Sequence, residues 1–208
     1  MNAKTPVSAR RKPVQSRSKA RVRRILEHAA ELIGRQGVAG TSMSAIARGT
    51  DMSLASLYRY FPNKEAIIRA IAETHVERLE DALRGHLAHL SLENGPDELI
   101  DLYADFYRNE PGYAEIWSGV ESMPQLQALD LKELYRNARD AHRAARRLLP
   151  TMDSERAWRA SVLLTRTCGQ ILRFAMTLSR EEEQALLQEL KVMVRAYLMD
   201  LVRESSHG

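Results

Sequence analysis

The chain has 208 residues, of which 44% are hydrophobic and 28% are charged, so it can bury a sizeable core, and neither a fibrous nor a disordered class is favoured. The net charge of +4 hides an asymmetry: residues 1–64 carry thirteen Lys and Arg against three acids, whereas the remainder carries eighteen against twenty-four. A basic head of net +10 on an acidic body of net −6 is typical of a protein that binds a polyanion. A merely solvated charged surface is the equal alternative.

The single cysteine, Cys168, cannot form an intramolecular disulfide, which favours a reducing compartment. No apolar run approaches the roughly 20 residues that span a bilayer, and no apolar segment of a signal peptide follows the basic N-terminus. No repeat and no Cys or His spacing of a metal site occurs. We therefore expect a cytoplasmic protein with no metal, no cofactor and no membrane partner.

The predicted fold is all-α, with about nine helices. Residues 1–17 are basic and almost without apolar side chains, which predicts a mobile arm. Ser16 or Ser18 can cap a first helix, whose apolar residues follow the three-and-four spacing of one helical face. We expect Gly34 and Gly37 to end this helix.

Two helices of about two turns each come next. Thr41 or Ser42 caps the first of them, which ends in a turn at 49–51 whose aspartate tolerates positive φ. Ser53 caps the second. Isolated helices under roughly 12 residues are marginal, so both must pack on the first helix as a three-helix unit. Two short helices joined by a tight turn are the arrangement of a DNA-reading helix-turn-helix.

Asn63 caps a fourth helix, which we expect to run to His89 or Leu90 before a linker at 91–96. Further helices are predicted over 97–109, 112–120, 126–149, 154–178 and 180–204. The last two carry long apolar stripes rich in small residues. These stripes pack either in a monomer core or, doubled about a two-fold axis, in a four-helix dimer interface, and periodicity does not separate the two.

The run Leu57-Tyr-Arg-Tyr-Phe61 followed by Lys64-Glu65 is a specific signature. Further matching residues are Gly37, Thr41-Ser42, Ile46-Ala47 and Met52-Ser53. With them, residues 18 to about 75 resemble the TetR family of one-component, ligand-responsive transcriptional repressors. Thr50-Asp51 replaces the usual Ala-Gly of the turn, and Ala55 stands where the family often has Gly.

The resemblance implies a homodimer that joins through its last two helices and binds a pseudo-palindromic double-stranded DNA operator. Residues 18–65 would form the helix-turn-helix domain after the arm at 1–17, and residues 66–208 a helical ligand-binding and dimerisation domain. A small-molecule inducer bound there would swing the fourth helix and release the DNA.

Other readings of the sequence stay open. A transcriptional activator or a ligand-independent DNA-binding protein of the same fold is the nearest alternative, and a helical adaptor with a basic membrane-binding arm is a remote one. No nucleophile with a base, no Gly-rich phosphate loop and no helical His-Glu metal pattern is visible, so we do not expect an enzyme.

Candidate DNA contacts form three groups. Arg17, Lys19 and Arg21 reach phosphate or the minor groove, or form only a solvated arm. Thr41 or Ser42, at a helix N-terminus, binds phosphate. By the family pattern the remaining phosphate contacts are Tyr58, Tyr60 and Lys64, and the base-reading residues are Met43, Ser53, Leu54, Ala55, Ser56 and Arg59. Arg59 is the candidate for a guanine, and Tyr58 is alternatively a core residue.

Aromatic and Met residues of the second half are candidates for an apolar ligand pocket, although each also fits a core. They are Tyr103, Phe106, Tyr107, Trp117, Met123, Tyr135, Trp158 and Phe174. Arg166, Gln170 and Arg173 share one helical face. They either recognise an anionic inducer or pair with the many acids of this half.

Overall fold

The computed structural model describes residues 12–84, 91, 93 and 95–206. Within these ranges the regular structure is helical throughout, which confirms the predicted all-α class. The first eleven residues of the predicted arm, and the predicted end of the fourth helix at 85–90, lie outside the described residues.

Nine α-helices make up the described part of the chain. They are α1 Lys12–Gly40, α2 Met43–Gly49, α3 Leu54–Tyr58, α4 Lys64–Leu83, α5 Gly95–Asn109, α6 Tyr113–Ser122, α7 Gln127–Leu148, α8 Ser154–Ala175 and α9 Arg180–Ser206. A short 3-10 turn, Pro124–Leu126, precedes α7. The bounds of α5 to α9 lie within three residues of the predicted ones.

The first helix differs from its prediction at both ends. It begins at Lys12, so residues 12–17 belong to a helix and not to the arm. Gly34 lies inside the helix, and the break comes at Gly37, whose φ of 73° interrupts the helical backbone before the chain continues to Gly40. Gly34 meets a neighbouring helix instead, so its missing side chain serves packing and not termination.

Side-chain caps begin the helices that follow. Ser42 accepts the N–H of Ala45 at 3.1 Å, which decides between the two candidate caps of α2. Ser53 caps α3 and Asn63 caps α4 in the same way, as predicted. Asp51, in the turn between α2 and α3, has a φ of 54°, which agrees with the positive φ expected of it. These caps satisfy donors that a helix leaves free at its start.

Helices α1 to α4 share one apolar core. Ile25, Ile33, Ile46, Leu57 and Ile67 are fully buried in it. Because α2 and α3 are too short to be stable alone, this burial holds them in place. Truncating Leu57 to Ala would cost about 2–5 kcal/mol of stability.

The head is joined to the body by direct contact between α1 and α6. A Cβ built on Gly34 would lie 3.0 Å from the Cα of Gly112, and one built on Gly112 would lie 2.5 Å from the carbonyl oxygen of Ala30. Gly112 also has a φ of 67°, which favours glycine. The two glycines therefore let the helices approach backbone to backbone.

In the body, α7 packs along α8, and α8 packs on α9. The small-residue stripe of α8, including Ala157, Ala160, Ser161 and Ala175, is buried within the chain. For these residues the monomer-core alternative is confirmed. None of the described helices is long and apolar enough to cross a membrane.

Candidate nucleic-acid interface and ligand cavity

Helix α3, the predicted recognition helix of the helix-turn-helix, is buried on one side and exposed on the other. Leu57 is fully buried, whereas Ala55 and Arg59 are exposed and Leu54 and Tyr58 are 38% and 48% exposed. The alternative of Tyr58 as a core residue is therefore wrong. The exposed side chains follow one another along the face that a major groove would meet.

A chain of hydrogen bonds fixes part of this face. The hydroxyl of Ser53 donates to that of Ser56 at 2.9 Å, and the guanidinium of Arg59 donates to Ser56 at 3.0 Å. On the other side of the turn, Arg24 of α1 pairs with Asp51 at 2.9 Å. The contacts of Arg59 and Arg24 reduce the freedom of these two long side chains.

The two hydroxyl residues before α2 have different environments. Thr41 is buried, and its hydroxyl donates to the carbonyl of Gly37 at 2.9 Å, so this hydroxyl is not available to a phosphate. Ser42 is exposed at the start of α2, and Met43 beside it is half-buried. Of the two alternatives for a phosphate contact, the structure leaves Ser42.

Lys64 reaches back from α4 to the end of α1. Its ammonium nitrogen donates to the carbonyls of Val38 at 2.6 Å and Thr41 at 3.0 Å. Since an ammonium group has three donors, one N–H is left for another acceptor.

The other predicted phosphate contacts differ in exposure. Tyr60 is half-buried, and Arg17, Lys19 and Arg21 are exposed on the first turns of α1.

The body contains a cavity of about 270 Å³ between α4, α5, α6, α7, α8 and α9. Tyr103, Tyr107 and Trp117 lie in its wall, as predicted, together with Tyr113. The rings of Tyr107 and Tyr113 stack with centroids 4.0 Å apart. Burial raises the pKa of both tyrosines, so their hydroxyls stay protonated.

Five predicted pocket residues do not line this cavity. Phe106 and Met123 pack against the core, whereas Tyr135 and Phe174 are 44% and 56% exposed. Trp158 stacks on Tyr135 with centroids 6.3 Å apart. Helical periodicity could not assign them because it does not say which of several apolar helix faces encloses a cavity.

Comparison with known families accounts for most of the chain. The family description "Tetracyclin repressor-like, C-terminal domain" matches residues 90–202, and "Bacterial regulatory proteins, tetR family" matches residues 25–71. The chain belongs to the TetR family. Members of this family are DNA-binding transcriptional regulators, typically repressors.

Relatives of this TetR-family protein include the nucleoid occlusion factor SlmA of Haemophilus influenzae, 30% identical over 100 residues, which are 45% of this chain and 44% of SlmA. The uncharacterized HTH-type transcriptional regulator YobS of Bacillus subtilis is 28% identical over 91 residues, 44% of this chain and 48% of YobS. The chain thus spans less than half the length of the curated relatives that it matches.

Solved structures share the fold of this TetR-family protein. A TetR-family regulator of Streptomyces coelicolor has a TM-score of 0.66 at 22% identity and covers 87% of this chain and 99% of its own. A structure described as AibR in complex with isovaleryl coenzyme A and operator DNA has a TM-score of 0.63 at 17% identity, covering 83% of this chain and 97% of its own.

Sequence reasoning missed the polar residues that α7 brings to the cavity of this TetR-family protein. Asp130, Glu133 and Arg136 lie in its wall, and Asp130 pairs at 2.9 Å with Arg166 of α8. Burial raises the pKa of Glu133. The amphipathic pattern of α7 could have revealed them, since acids on a buried helix face need partners.

Two alternatives were open for the helical face of Arg166, Gln170 and Arg173, and the structure agrees with the second, pairing with acidic side chains. Arg173 pairs with Glu121, and Gln170 donates to the same carboxylate at 2.8 Å. Arg166 and Arg173 nevertheless belong to the cavity wall. Cys168 also lies there, and burial raises its pKa to about 11.

A buried histidine of α4 links the cavity wall to the junction with the head. His75 stacks on Tyr113 with centroids 5.2 Å apart, and its Nε2 lies 3.8 Å from a carboxylate oxygen of Glu110. Burial, and secondarily the charge of Arg78, lowers the pKa of His75 to about 4. No cluster of metal-ligating side chains occurs among the described residues.

Proposed function

We propose that this protein binds a pseudo-palindromic operator as a homodimer, represses transcription there and is released by a small molecule held in the cavity. The observation that carries the proposal is the exposed face of α3, where Ser53, Ser56 and Arg59 are already hydrogen-bonded to one another. A regulator of this kind acts in the cytoplasm, where chromosomal DNA lies.

The proposed contacts with DNA divide by chemistry. Arg59 reads a guanine, Leu54 and Ala55 meet thymine methyl groups, and Ser53, Ser56 and Met43 complete the base-reading face. Phosphate is bound by Ser42, Tyr58, Tyr60, the third N–H of Lys64, and the basic start of α1 with Arg17, Lys19 and Arg21. The exposure of Tyr58 and of these basic side chains supports this division.

Large apolar side chains on α8 and α9 support the homodimer. The most exposed are Leu163, Phe174, Val192, Met193 and Met199. Such side chains on two adjacent helices are costly in water, and a second copy related by a two-fold axis would cover them. Two recognition helices would then lie one DNA turn apart, at about 34–36 Å.

The same proposal assigns a separate role to each part of the chain. Residues 18–65 read DNA, and residues 66–208 bind ligand and form the dimer. A ligand against Tyr113 would act on α4 through His75 and on α1 through Gly112, since both contacts are direct. A solved protein of this fold that binds both a coenzyme A thioester and operator DNA supports such coupling.

The test is selection of bound duplexes from a random pool by the full-length protein. We expect an inverted repeat with half-sites one helical turn apart. Arg59→Ala should lose the preference for one base at one position of each half-site, a loss of about 1–3 kcal/mol in discrimination between bases. The control Lys132→Ala, on the exposed surface of α7, should leave the selected sequence unchanged. Selection without any repeat would contradict the proposal.

A further inference from the structure

The cavity of the body is long and narrow. Its wall on α8 extends from Ala157 to Arg173, a distance of about 24 Å at 1.5 Å per residue. On α7 the wall extends from Asp130 to Leu148, about 27 Å by the same measure. A volume of about 270 Å³ spread along the two helices forms a channel, not a round chamber.

One end of the channel is lined by a separate aliphatic cluster. This cluster is distinct from the larger apolar core and consists of Leu149, Met152, Ala157, Ala160 and Leu201. All five side chains are buried, and all five lie in the wall of the channel. The opposite end, beside Arg173, is lined by the aromatic rings of Tyr107, Tyr113 and Trp117.

The wall of α7 beside the aliphatic cluster is apolar over its last two turns. Beyond Asp140 the wall residues of this helix are Ala141, Ala144, Ala145 and Leu148, so among the described residues no charged side chain of α7 lines this stretch. From Ala141 to Leu148 the distance is about 10 Å. An extended chain advances roughly 1.2 Å per bond, so roughly eight bonds of an alkyl chain span it.

A narrow aliphatic channel selects its ligand by shape. An unbranched chain enters such a channel lengthwise and buries nearly all of its methylene groups, each of which adds affinity. A branched molecule with the same number of carbons is too wide to do so and leaves part of its apolar surface in water. The channel therefore favours a linear chain over a compact apolar body.

We propose that the ligand of this cavity carries one unbranched alkyl or acyl chain of about eight carbons or more, which lies in the aliphatic end of the channel. This inference rests on the proposed function in one respect, that the cavity is the ligand site. It adds the chemical class of the ligand and the part of the wall that selects it.

Linear alcohols are suitable probes of the chain. The charged side chains in the wall, three of each sign, balance one another, so an uncharged head group suffices. Calorimetry on the wild-type protein measures the affinity of each alcohol from hexan-1-ol to decan-1-ol. We expect binding to tighten about fourfold with each added methylene over this series, because the channel is long enough to bury them all.

A branched isomer tests the shape of the site. Nonan-1-ol and diisobutylcarbinol have the same formula, but only the first is linear. We expect nonan-1-ol to bind at least tenfold more tightly after correction for the partition of each alcohol into octanol. This comparison uses the wild-type protein and does not depend on the folding of any variant.

A variant of the aliphatic end tests where the chain lies. Ala145→Phe places a ring in this part of the wall, so the preference for nonan-1-ol over its branched isomer should fall at least fivefold. Ala128→Phe is the matched control, because Ala128 is exposed on the same helix and lies outside the wall. The control should keep the preference within twofold.

Three results would overturn the inference: no binding of nonan-1-ol, equal or tighter binding of the branched isomer, or the full linear preference in a folded Ala145→Phe protein. Operator affinity measured with and without nonan-1-ol separates this inference from the proposed function. Binding of the linear alcohol without any effect on operator affinity would contradict regulation through this cavity and support the ligand class.

Discussion

Lys64 begins α4 and holds the junction between α1 and α2 through the carbonyls of Val38 and Thr41. These two contacts do not use the third N–H of the ammonium group, and the proposed phosphate contact would use it. A single side chain thus orders the start of α2 and, in the proposed complex, would add a charge to the surface that meets DNA. The two roles can be measured separately, one by operator binding and the other by the free energy of unfolding.

Lys64→Ala should weaken operator binding about evenly across sequences and lower the salt slope by about one unit. Because two carbonyls lose a charged donor, the free energy of unfolding should fall by about 1.5–3 kcal/mol. Lys132→Ala removes the same charge from an exposed position of α7 and should change neither quantity. An unchanged salt slope in the Lys64 variant would limit this residue to holding the junction.

His75 makes stability depend on pH. Its pKa of about 4 in the folded protein lies below the value of 6.5 for a free histidine, so the unfolded chain binds more protons between these values. The contribution of neutral His75 is complete above pH 6.5 and is lost as the pH falls towards 4. The groups that face it are Glu110, Arg78 and the ring of Tyr113.

Urea unfolding at pH 7.5 and pH 5 measures this effect. We expect the wild-type protein to lose about 2 kcal/mol more than His75→Phe between the two values, from the shift in pKa. The phenylalanine variant keeps a ring against Tyr113 but cannot titrate. Equal losses in the two proteins would show that His75 is not the group responsible.

At the scale of elements, the contact of α1 with α6 decides how the head sits on the body. Gly112 combines a positive φ with a close approach to Ala30, whereas Gly37 has a positive φ and open space around it. Comparing substitutions at the two glycines therefore separates the free-energy cost of backbone strain from that of the helix contact.

Gly37→Ala should lower the free energy of unfolding by about 1–3 kcal/mol, the cost of a backbone conformation (φ 73°, ψ 169°) that essentially only glycine adopts. Gly112→Ala should cost more, because its Cβ would meet the carbonyl oxygen of Ala30 at 2.5 Å and push the helices apart. Denaturant unfolding of both variants tests the difference. Similar losses would mean that α1 and α6 separate without penalty.

At the scale of the whole molecule, the exposed apolar residues of α8 and α9 are expected to hold two copies together. Phe174→Glu places a charge in that face, so the protein should become a monomer at micromolar concentration and bind its operator at least tenfold more weakly. Light scattering and operator titration measure the two effects.

Leu131→Glu is the matched control for this prediction. Leu131 is 47% exposed on α7, and Phe174 is 56% exposed on α8, so the same change is made at similar exposure on a different helix. The control should stay dimeric. A dimeric Phe174→Glu protein would place the interface elsewhere.

The sequence alone determined the features that depend on near neighbours along the chain. The caps at Ser53 and Asn63 join residues three apart, and the positive φ of Asp51 follows from its own side chain. The helices and the exposed face of α3 could be predicted for the same reason, since helical periodicity relates residues within one or two turns.

Only the tertiary structure decided the features that join distant parts of the chain. Gly34 lies inside α1, where it contacts Gly112, and the hydroxyl of Thr41 points inward to the carbonyl of Gly37 while its own carbonyl accepts from Lys64. Likewise, the wall of the cavity is drawn from six helices, and five aromatic and Met candidates face core or solvent instead. Which helix faces meet depends on the packing of all nine helices of the described chain at once, and no local pattern contains that information.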